Sequence, residues 1–256
     1  MAKLKISVIT VCYNSASTIE QTIHSVSGQT WAETEHIVVD GGSRDGTLGI
    51  LARHQEKFAN VLSEPDQGIY DAMNKGIALA TGELIGFLNA DDVYTDTEVL
   101  ARVADVMGRE GLDAMFADVE FFSADNTMHS VRRYRSAHFA PSRIAWGWMP
   151  AHPTLFLHTR VFEQFGTFRS DYRIAGDFEL VARIFHAGGL KYRYLPEVLV
   201  RMRTGGASTR GWRNTLQLNR EVLRACKENG IYTNPLMILS KYPLKVLEFF
   251  FKGREI

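Results

Sequence analysis

Four short apolar runs, separated by stretches of helical periodicity, constrain what this chain can fold into more than any other feature. They are Ile6–Val11, His36–Val39, Asn60–Ser63 and Leu84–Leu88. The first is followed by a face of Ile19, Ile23 and Val26, the third by Ile69, Tyr70, Met73, Ile77 and Ala80, and the fourth by Val99, Leu100, Val103 and Val106. An alternation of this kind needs crossover connections, so it predicts a mainly parallel sheet with helices on its faces and right-handed crossovers. The fourth run is the most informative. In Glu83–Asp92, ELIGFLNADD, residues Leu84, Ile85, Phe87 and Leu88 show no polar alternation, as in a strand covered on both sides, and the run stops at Asn89, Asp91 and Asp92. Ligands of open α/β sheets bind outside the carboxyl ends of strands, which is where these oxygens fall. Adjacent carboxylates gain from a cation, and hard oxygen ligands suit Mg²⁺ or Mn²⁺. An ordinary turn is the alternative. Thr95 and Glu98, spaced as a capping box, are expected to start the next helix and so relieve Asp91 and Asp92 of that duty.

With 256 residues, 45% of them hydrophobic, the chain can bury a full core. The expected organisation is an α/β domain over 1–208, made of two halves, 1–110 and 111–208, followed by a helical extension over 209–256. Lys and Arg number 29, as do Asp and Glu, so no basic field directs the protein to nucleic acid. Cys12 and Cys226 fit no metal or redox spacing and read as reduced thiols, which suits the cytoplasm. Lys3 and Lys5 precede only a short apolar run without a cleavage site, so a first strand is expected rather than a signal peptide. No stretch reaches the roughly 18 apolar residues of a spanning helix, and membrane contact is expected to be peripheral.

Ser17 and Glu20 are spaced as a capping box for the first helix. The turn before it, CYNSAS, lacks both common glycine-rich phosphate-binding patterns, leaving Tyr13 to stack on a base or to pack in the loop. Asp40 ends the second run ahead of Gly41 and Gly42; it can accept from the imide edge of a pyrimidine or from ribose, or it can brace the turn. Gly82 is expected to close the third helix, on which Lys75 can meet a phosphate or remain solvated. Beyond Gly108 the pattern changes to strands over Ala114–Phe122 and Met128–Arg135 about a Ser-Ala-Asp-Asn turn, a small antiparallel addition. A further strand is expected over Thr154–His158, after an aromatic, proline-bearing segment that contains His152, a metal ligand or an acid-base group. Asp177 opens a helix, where the macrodipole keeps a carboxylate ionised, which suits a base and an N-cap equally. Lys191–Arg203 supplies the last strands and leads into a loop where Arg201 and Arg203 can meet a diphosphate.

Taken together over residues 4–208, these segments resemble glycosyltransferase family 2, inverting enzymes of the GT-A fold. Thr10-Val11-Cys12-Tyr13-Asn14 is similar to its T-x-x-Y-N, and Val39 through Thr47 to its V-D-D-G-S-x-D-G-T, with Gly41 in place of the second Asp. Asp66 through Gly76 is similar to a segment of members that build bacterial cell-surface polysaccharides of the colanic acid and O-antigen type, although many relatives carry Arg where Met73 stands. The D-x-D motif becomes Asn89-Ala90-Asp91, and the base motif corresponds to Gly176-Asp177. The resemblance implies a nucleoside diphosphate sugar donor, with UDP as the expected carrier, and a divalent metal, Mn²⁺ or Mg²⁺, held by Asp91, with His152 as a candidate second ligand. It implies that Thr10, Tyr13, Asp40, Asp66 and Asn89 hold the nucleoside, that Arg203 clamps the diphosphate, and that Asp177 is the catalytic base. The competing readings are a sugar-nucleotide pyrophosphorylase, whose phosphate loop is missing, and a nucleotide-binding regulatory module without turnover. In the tail, Lys241, Lys245, Glu248 and Lys252 recur at helical spacing among bulky apolar residues, interrupted by Pro243. Residues 234–256 therefore read either as an interfacial helix on an anionic bilayer or as a face packed on the domain. The first reading places the protein on the inner face of the cell membrane, with a polyprenyl-diphosphate-linked sugar as acceptor.

Overall fold

The computed structural model describes residues 3–123, 126–204 and 211–240. Its first half follows the expected alternation: β1 (Ile6–Cys12), α1 (Ile19–Ser27), β2 (Thr34–Asp40), α2 (Thr47–Arg53), β3 (Asn60–Ser63), α3 (Ile69–Leu79) and β4 (Leu84–Phe87). The second half contains β5 (Val93–Tyr94), α4 (Val99–Glu110), β6 (Ala114–Ser123), β7 (Asn126–Tyr134), β8 (Phe156–His158), α5 (Thr159–Phe165), α6 (Gly176–His186), β9 (Tyr192–Arg203), α7 (Gly211–Glu228) and α8 (Pro235–Leu239). One sheet carries the order β3-β2-β1-β4-β8-β6-β9-β5, with β7 paired to β6. The pairs β3–β2, β2–β1, β1–β4 and β6–β9 are parallel. Antiparallel pairs are confined to β8, β5 and β7. The result is a mostly parallel sheet flanked by helices, the GT-A architecture.

Strand alternation sorts the apolar residues into two layers. Ile9, Val11, Ile85 and Phe87 face α3 and α6, packing on Tyr70, Met73 and Phe178. Ile6, Val8, Leu84 and Leu88 face the other way, onto Val99, Leu100 and Val103 of α4. The missing polar alternation of β4 is thus explained by cover on both sides, and each such buried side chain contributes on the order of 1.5–3 kcal/mol. Val222, Ala225 and Cys226 of α7 join the same core as Phe178, so that helix is built into the domain. On α8, Ile238 is buried whereas Leu236 is 81% and Leu239 47% exposed. Among the described residues no helix is long and apolar enough to cross a membrane. Most of the tail segment singled out in the sequence, residues 241–256, lies outside the described residues, as do residues 205–208 of the expected basic loop.

Local signals were overruled where distant partners were stronger. Neither expected capping box forms: α1 has Thr18 and α4 has Glu98 at the N-cap, without side-chain cap bonds. Asp96, not Thr95, receives the Glu98 N–H (2.8 Å), while the Thr95 hydroxyl donates to the Val198 carbonyl (3.0 Å). Helix α3 ends at Leu79, with Ala80 already extended, so Gly82 does not close it. Gly82 instead lies where a Cβ would stand 2.8 Å from the Lys5 carbonyl and the Ser7 nitrogen. Helix α4 runs past Gly108 to Glu110 and closes on Gly111 at φ 59°. Residues His152–Thr154 form a 3₁₀ turn rather than the start of a strand, and Lys191–Arg203 yields one strand, not several.

The turn into β4 is pinned by Glu35, which is only 6% exposed. Its carboxylate accepts from Ser7 Oγ (2.5 Å), the Thr81 backbone N–H (2.6 Å) and Thr81 Oγ1 (2.7 Å), and pairs with Lys5 Nζ (2.6 Å). Burial works to raise its pKa, but the Lys5, Ser7 and Thr81 donors outweigh it and hold the group down to about 2. A carboxylate depressed in the folded state stabilises above its ordinary value of 4.5 and loses that contribution as pH falls toward 2. Glu35→Gln is therefore expected to lower the denaturation midpoint at neutral pH and to flatten its fall over the acid range, as followed by chemical denaturation at a series of pH values. An acid limb as steep as that of the parent protein would contradict this.

Candidate active site

The carboxyl ends of β1, β2 and β4 lead into loops of which the first two hold each other. Asn14, at φ 50°, donates its N–H to Ser43 Oγ (2.7 Å) and accepts from the Arg44 N–H (2.9 Å). The N–H groups of Ser15 and Ala16 reach Thr47 Oγ1 (2.8 Å) and Asp45 Oδ2 (3.0 Å). These contacts fix the chain ahead of α1 and leave Tyr13 62% exposed, a ring free of the core and facing solvent.

Two residues expected to touch a nucleoside are spent internally. Thr10 is fully buried, with its hydroxyl 2.9 Å from His36 Nε2. His36 is neutral because burial holds its pKa down to about 3. Asp40 is also fully buried; it accepts from the N–H groups of Gly42 (3.1 Å) and Ser43 (2.9 Å), from Ser63 Oγ (2.8 Å) and from Ser43 Oγ. Burial pushes its pKa up and these donors more than compensate, so it stays ionised as the brace of the 40–43 turn. Asp66 is half-buried beside this turn. A Cβ on Gly41 would lie 2.3 Å from Asp66 Oδ2, so the Asp66 carboxylate fills the space into which a second aspartate at position 41 would project. Its other oxygen accepts from the Gly68 N–H (2.8 Å). Lys75 is held by Glu64 (2.8 Å) and Asp71 (3.4 Å), away from any phosphate duty.

After β4 the chain turns at Asn89–Asp92, held by Thr22 Oγ1, which donates to the Asp92 carbonyl (2.8 Å). Asp92 is 1% exposed; it accepts from Asn89 Nδ2 (3.2 Å) and from the Arg203 N–H (3.3 Å). Burial raises the pKa of both carboxylates, Asp92 the more because Asp91 repels it, while the Arg203 charge works the other way. Two buried polar atoms here lack a partner, Asn89 Oδ1 and Arg203 Nε. The guanidinium groups of Arg201 and Arg203 sit 5.2 and 5.1 Å from the centre of the Phe122 ring, and Arg203 also reaches Gln21 of α1 (3.0 Å). Strained carboxylates, an orphan amide oxygen and an orphan guanidinium N–H are the donor set that a divalent cation carrying a diphosphate would satisfy.

Asp177 is the second residue of α6, whose N-cap is Ala175. It is not the cap. The N–H groups of Arg173, Ile174 and Ala175 are taken by Glu221 of α7 at 3.1, 2.8 and 2.8 Å. Asp177 Oδ1 accepts from the Phe178 N–H (2.8 Å) and lies 3.3 Å from the Tyr70 hydroxyl, which donates to the Ile174 carbonyl (2.7 Å). His152 stacks on Phe87 at 5.4 Å and meets Phe168 edge-on at 5.8 Å. Burial lowers its pKa, and the charge acting against that is Asp177, not Asp91. His152 is thus a buried ring packed against Phe87 of β4 and against Phe168 ahead of α6. Its position brings Asp177 to the same end of the sheet as Asp91. Among the described residues, the group of His and carboxylate side chains close enough to share an ion is Glu20, His24 and His54, on the outer faces of α1 and α2. That group is already served by cations, with Arg53 3.6 Å from Glu20 and Lys57 3.1 Å from His24.

Residues 7–176 match the family model described as glycosyl transferase family 2. A PGL/p-HBAD biosynthesis glycosyltransferase of Mycobacterium bovis is 32% identical over 203 residues, 78% of this chain and 77% of that one. Among solved structures, residues 1–349 of S. aureus TarS in complex with UDP-GlcNAc superimpose with a TM-score of 0.69 at 19% identity, covering 87% of this chain and 66% of that one. The mannosyltransferase PcManGT from Pyrobaculum calidifontis, in complex with GDP-Man and Mn²⁺, gives 0.66 at 19% identity over 99% and 77%. This chain spans 39% of the longer TarS chain. At these identities the structural likenesses establish the shared fold.

Proposed function

The chain belongs to glycosyl transferase family 2 and is a glycosyltransferase, and we propose that it moves a sugar from a nucleoside diphosphate sugar to an acceptor hydroxyl with inversion at the anomeric carbon. The observation that carries this reading is the Asp91–Asp92 pair at the end of β4, raised in pKa by burial and facing Arg203. A divalent metal, Mn²⁺ or Mg²⁺, is held in this proposal by Asp91, with Asn89 Oδ1 as the adjoining acceptor. When bound it supplies Lewis-acid stabilisation of the charge on the diphosphate. Arg203 and Arg201 add cationic contacts to the same leaving group. UDP is the proposed carrier: Tyr13 offers a ring face to the base and Asp66 an acceptor for its imide N–H. Asp177 takes the proton of the acceptor hydroxyl as the new C–O bond forms, and the nucleoside diphosphate leaves with the electrons of the old one.

The acceptor proposed is a sugar on a polyprenyl diphosphate, met at an anionic membrane surface in the synthesis of a cell-surface glycan. Exposed Leu236 and Leu239 on α8, together with exposed Tyr232, support it, since they leave an apolar face uncovered directly ahead of the basic and phenylalanine-rich segment 241–256.

Asp91→Asn is expected to cost at least about a hundredfold in transfer while the fold survives, and to abolish the rise in melting temperature that Mn²⁺ gives in the presence of UDP. Wild-type turnover in excess chelator would overturn the metal proposal. For Asp177→Asn, turnover should fall by about 10²- to 10⁴-fold with nucleotide binding retained, as steady-state kinetics and nucleotide titration will report. Near-normal turnover would remove Asp177 from the role of base. Deleting residues 241–256, which leaves buried Ile238 in place, should end co-flotation with anionic liposomes and leave nucleotide binding unchanged; a truncated protein that floats like the full chain would refute membrane docking.

A further inference from the structure

Helix α7 lies beyond the family-matched segment, yet one of its faces grips the whole stretch that leads to Asp177. Three residues at helical spacing do this. Glu228 accepts from Arg169 (2.9 Å) and from the Tyr172 hydroxyl (2.7 Å), Arg224 pairs with Asp171, and Glu221 takes the three N–H groups of residues 173–175. Glu221 is 5% exposed, and Gln217 one turn earlier donates to its Oε1 (2.7 Å). Burial would push the Glu221 carboxyl up, but Gln217 and the three backbone donors outweigh that and keep it ionised below the usual carboxylate range. Three charge-assisted bonds to consecutive N–H groups fix a backbone path far more tightly than one neutral cap.

The opposite side of the same path is closed by α3. The Tyr70 hydroxyl donates to the Ile174 carbonyl, and a Cβ on Gly176 would lie 2.7–2.9 Å from the Tyr70 ring. The segment 173–176 is therefore held between Glu221 on one helix and Tyr70 on another, and Asp177 is the next residue along. Among the described residues, the Asp177 side chain itself is held only by its neighbour's N–H and the more distant Tyr70 hydroxyl, so its position follows that of the backbone beneath it.

We infer that Glu221 is the positioning residue for the catalytic base: by binding the N–H groups of residues 173–175 it sets where the Asp177 carboxylate meets the acceptor hydroxyl. This rests on Asp177 being the base, as proposed above. An anion at the start of α6 is thereby supplied from a distant helix, which frees Asp177 from capping and leaves its outer oxygen to the substrate.

Glu221→Gln keeps the shape and removes the charge. It is expected to lower kcat about tenfold to a hundredfold with the KM for donor and the affinity for UDP unchanged, because a displaced base costs turnover and not donor binding. The discriminating measurement is a double-mutant cycle with Asp177→Asn: once the base is gone, Glu221→Gln should cost nothing further in kcat. A merely structural Glu221 would leave the kcat of the folded fraction intact or multiply with Asp177→Asn, and either of these results would overturn the inference. If Asp177→Asn is inactive while Glu221→Gln is normal, the inference alone fails; if Asp177→Asn turns over normally, the base assignment fails and this inference with it. Should Glu221→Gln not fold, Gln217→Ala leaves the carboxylate but frees it to swing, and a smaller loss of kcat at constant donor KM is the expected result, an unchanged kcat the contrary one.

Discussion

Two carboxylates on consecutive residues at the end of a buried strand repel each other, and the turn that carries them has to be held from outside. Asp91 and Asp92 are kept in place by Thr22 from α1, by the Asn89 amide and by the Arg203 N–H arriving on β9. Desolvation disfavours the charge on both and Asp91 repels Asp92, while the Arg203 charge works the other way. Much of the surrounding architecture serves this constraint. Strand β4 is covered on both faces, so its end cannot drift, and Glu35 locks the turn at its beginning. A stiff strand with fixed ends is what allows a repelling pair to persist in one geometry.

The two halves of the sheet divide the chemistry by topology. Parallel strands β1, β2 and β4 deliver three loops to one edge; the loops after β1 and β2 hydrogen-bond to each other, and the loop after β4 is tied to Thr22 of α1. The antiparallel strand β8 joins this half to β6 and β9, which bring Arg203 back to the loop after β4. The side chain of Arg203 stacks on Phe122 and extends to Gln21, so the second half of the chain supplies positive charge to a site whose carboxylates come from the first.

The strands and the order of helices were legible because they depend on period and composition, which are local. The ends of helices were not. Ser17 with Glu20, and Thr95 with Glu98, satisfy a capping pattern, yet Asp96 takes the Glu98 N–H, and Asp45 and Thr47 hold the chain at Ala16 and Ser15 ahead of α1; a four-residue pattern cannot register a loop about thirty positions away. Motif identity also misled about side-chain direction. Thr10 and Asp40 occupy family positions, but their oxygens are consumed by His36 and by the 40–43 turn. The vacancy at Gly41 could be read from sequence; that Asp66 fills the space could not, because it depends on how close the turn after β3 comes to the turn after β2. Tyr70 was read as one more apolar residue of α3, and only the structure shows its hydroxyl between Ile174 and Asp177.

The boundary of the family match falls at residue 176, one position before the proposed base. That boundary has a physical counterpart. A donor site made of loops at one sheet edge can be recognised from short motifs, since each loop contributes a contiguous run of residues. The proposed base is placed by contacts that converge from α3 and α7, separated from it by 107 residues at Tyr70 and by less than half that distance at Glu221, and no contiguous pattern encodes such a convergence. Glu221 illustrates the difference: in sequence it is one charged residue in a polar helix, and it acquires a role only because Val222, Ala225 and Cys226 bury the adjoining face of α7 and turn its carboxylate toward residues 173–175. Apolar packing on one side of a helix thus determines the chemistry on the other, and the acceptor half of the site inherits its geometry from the core.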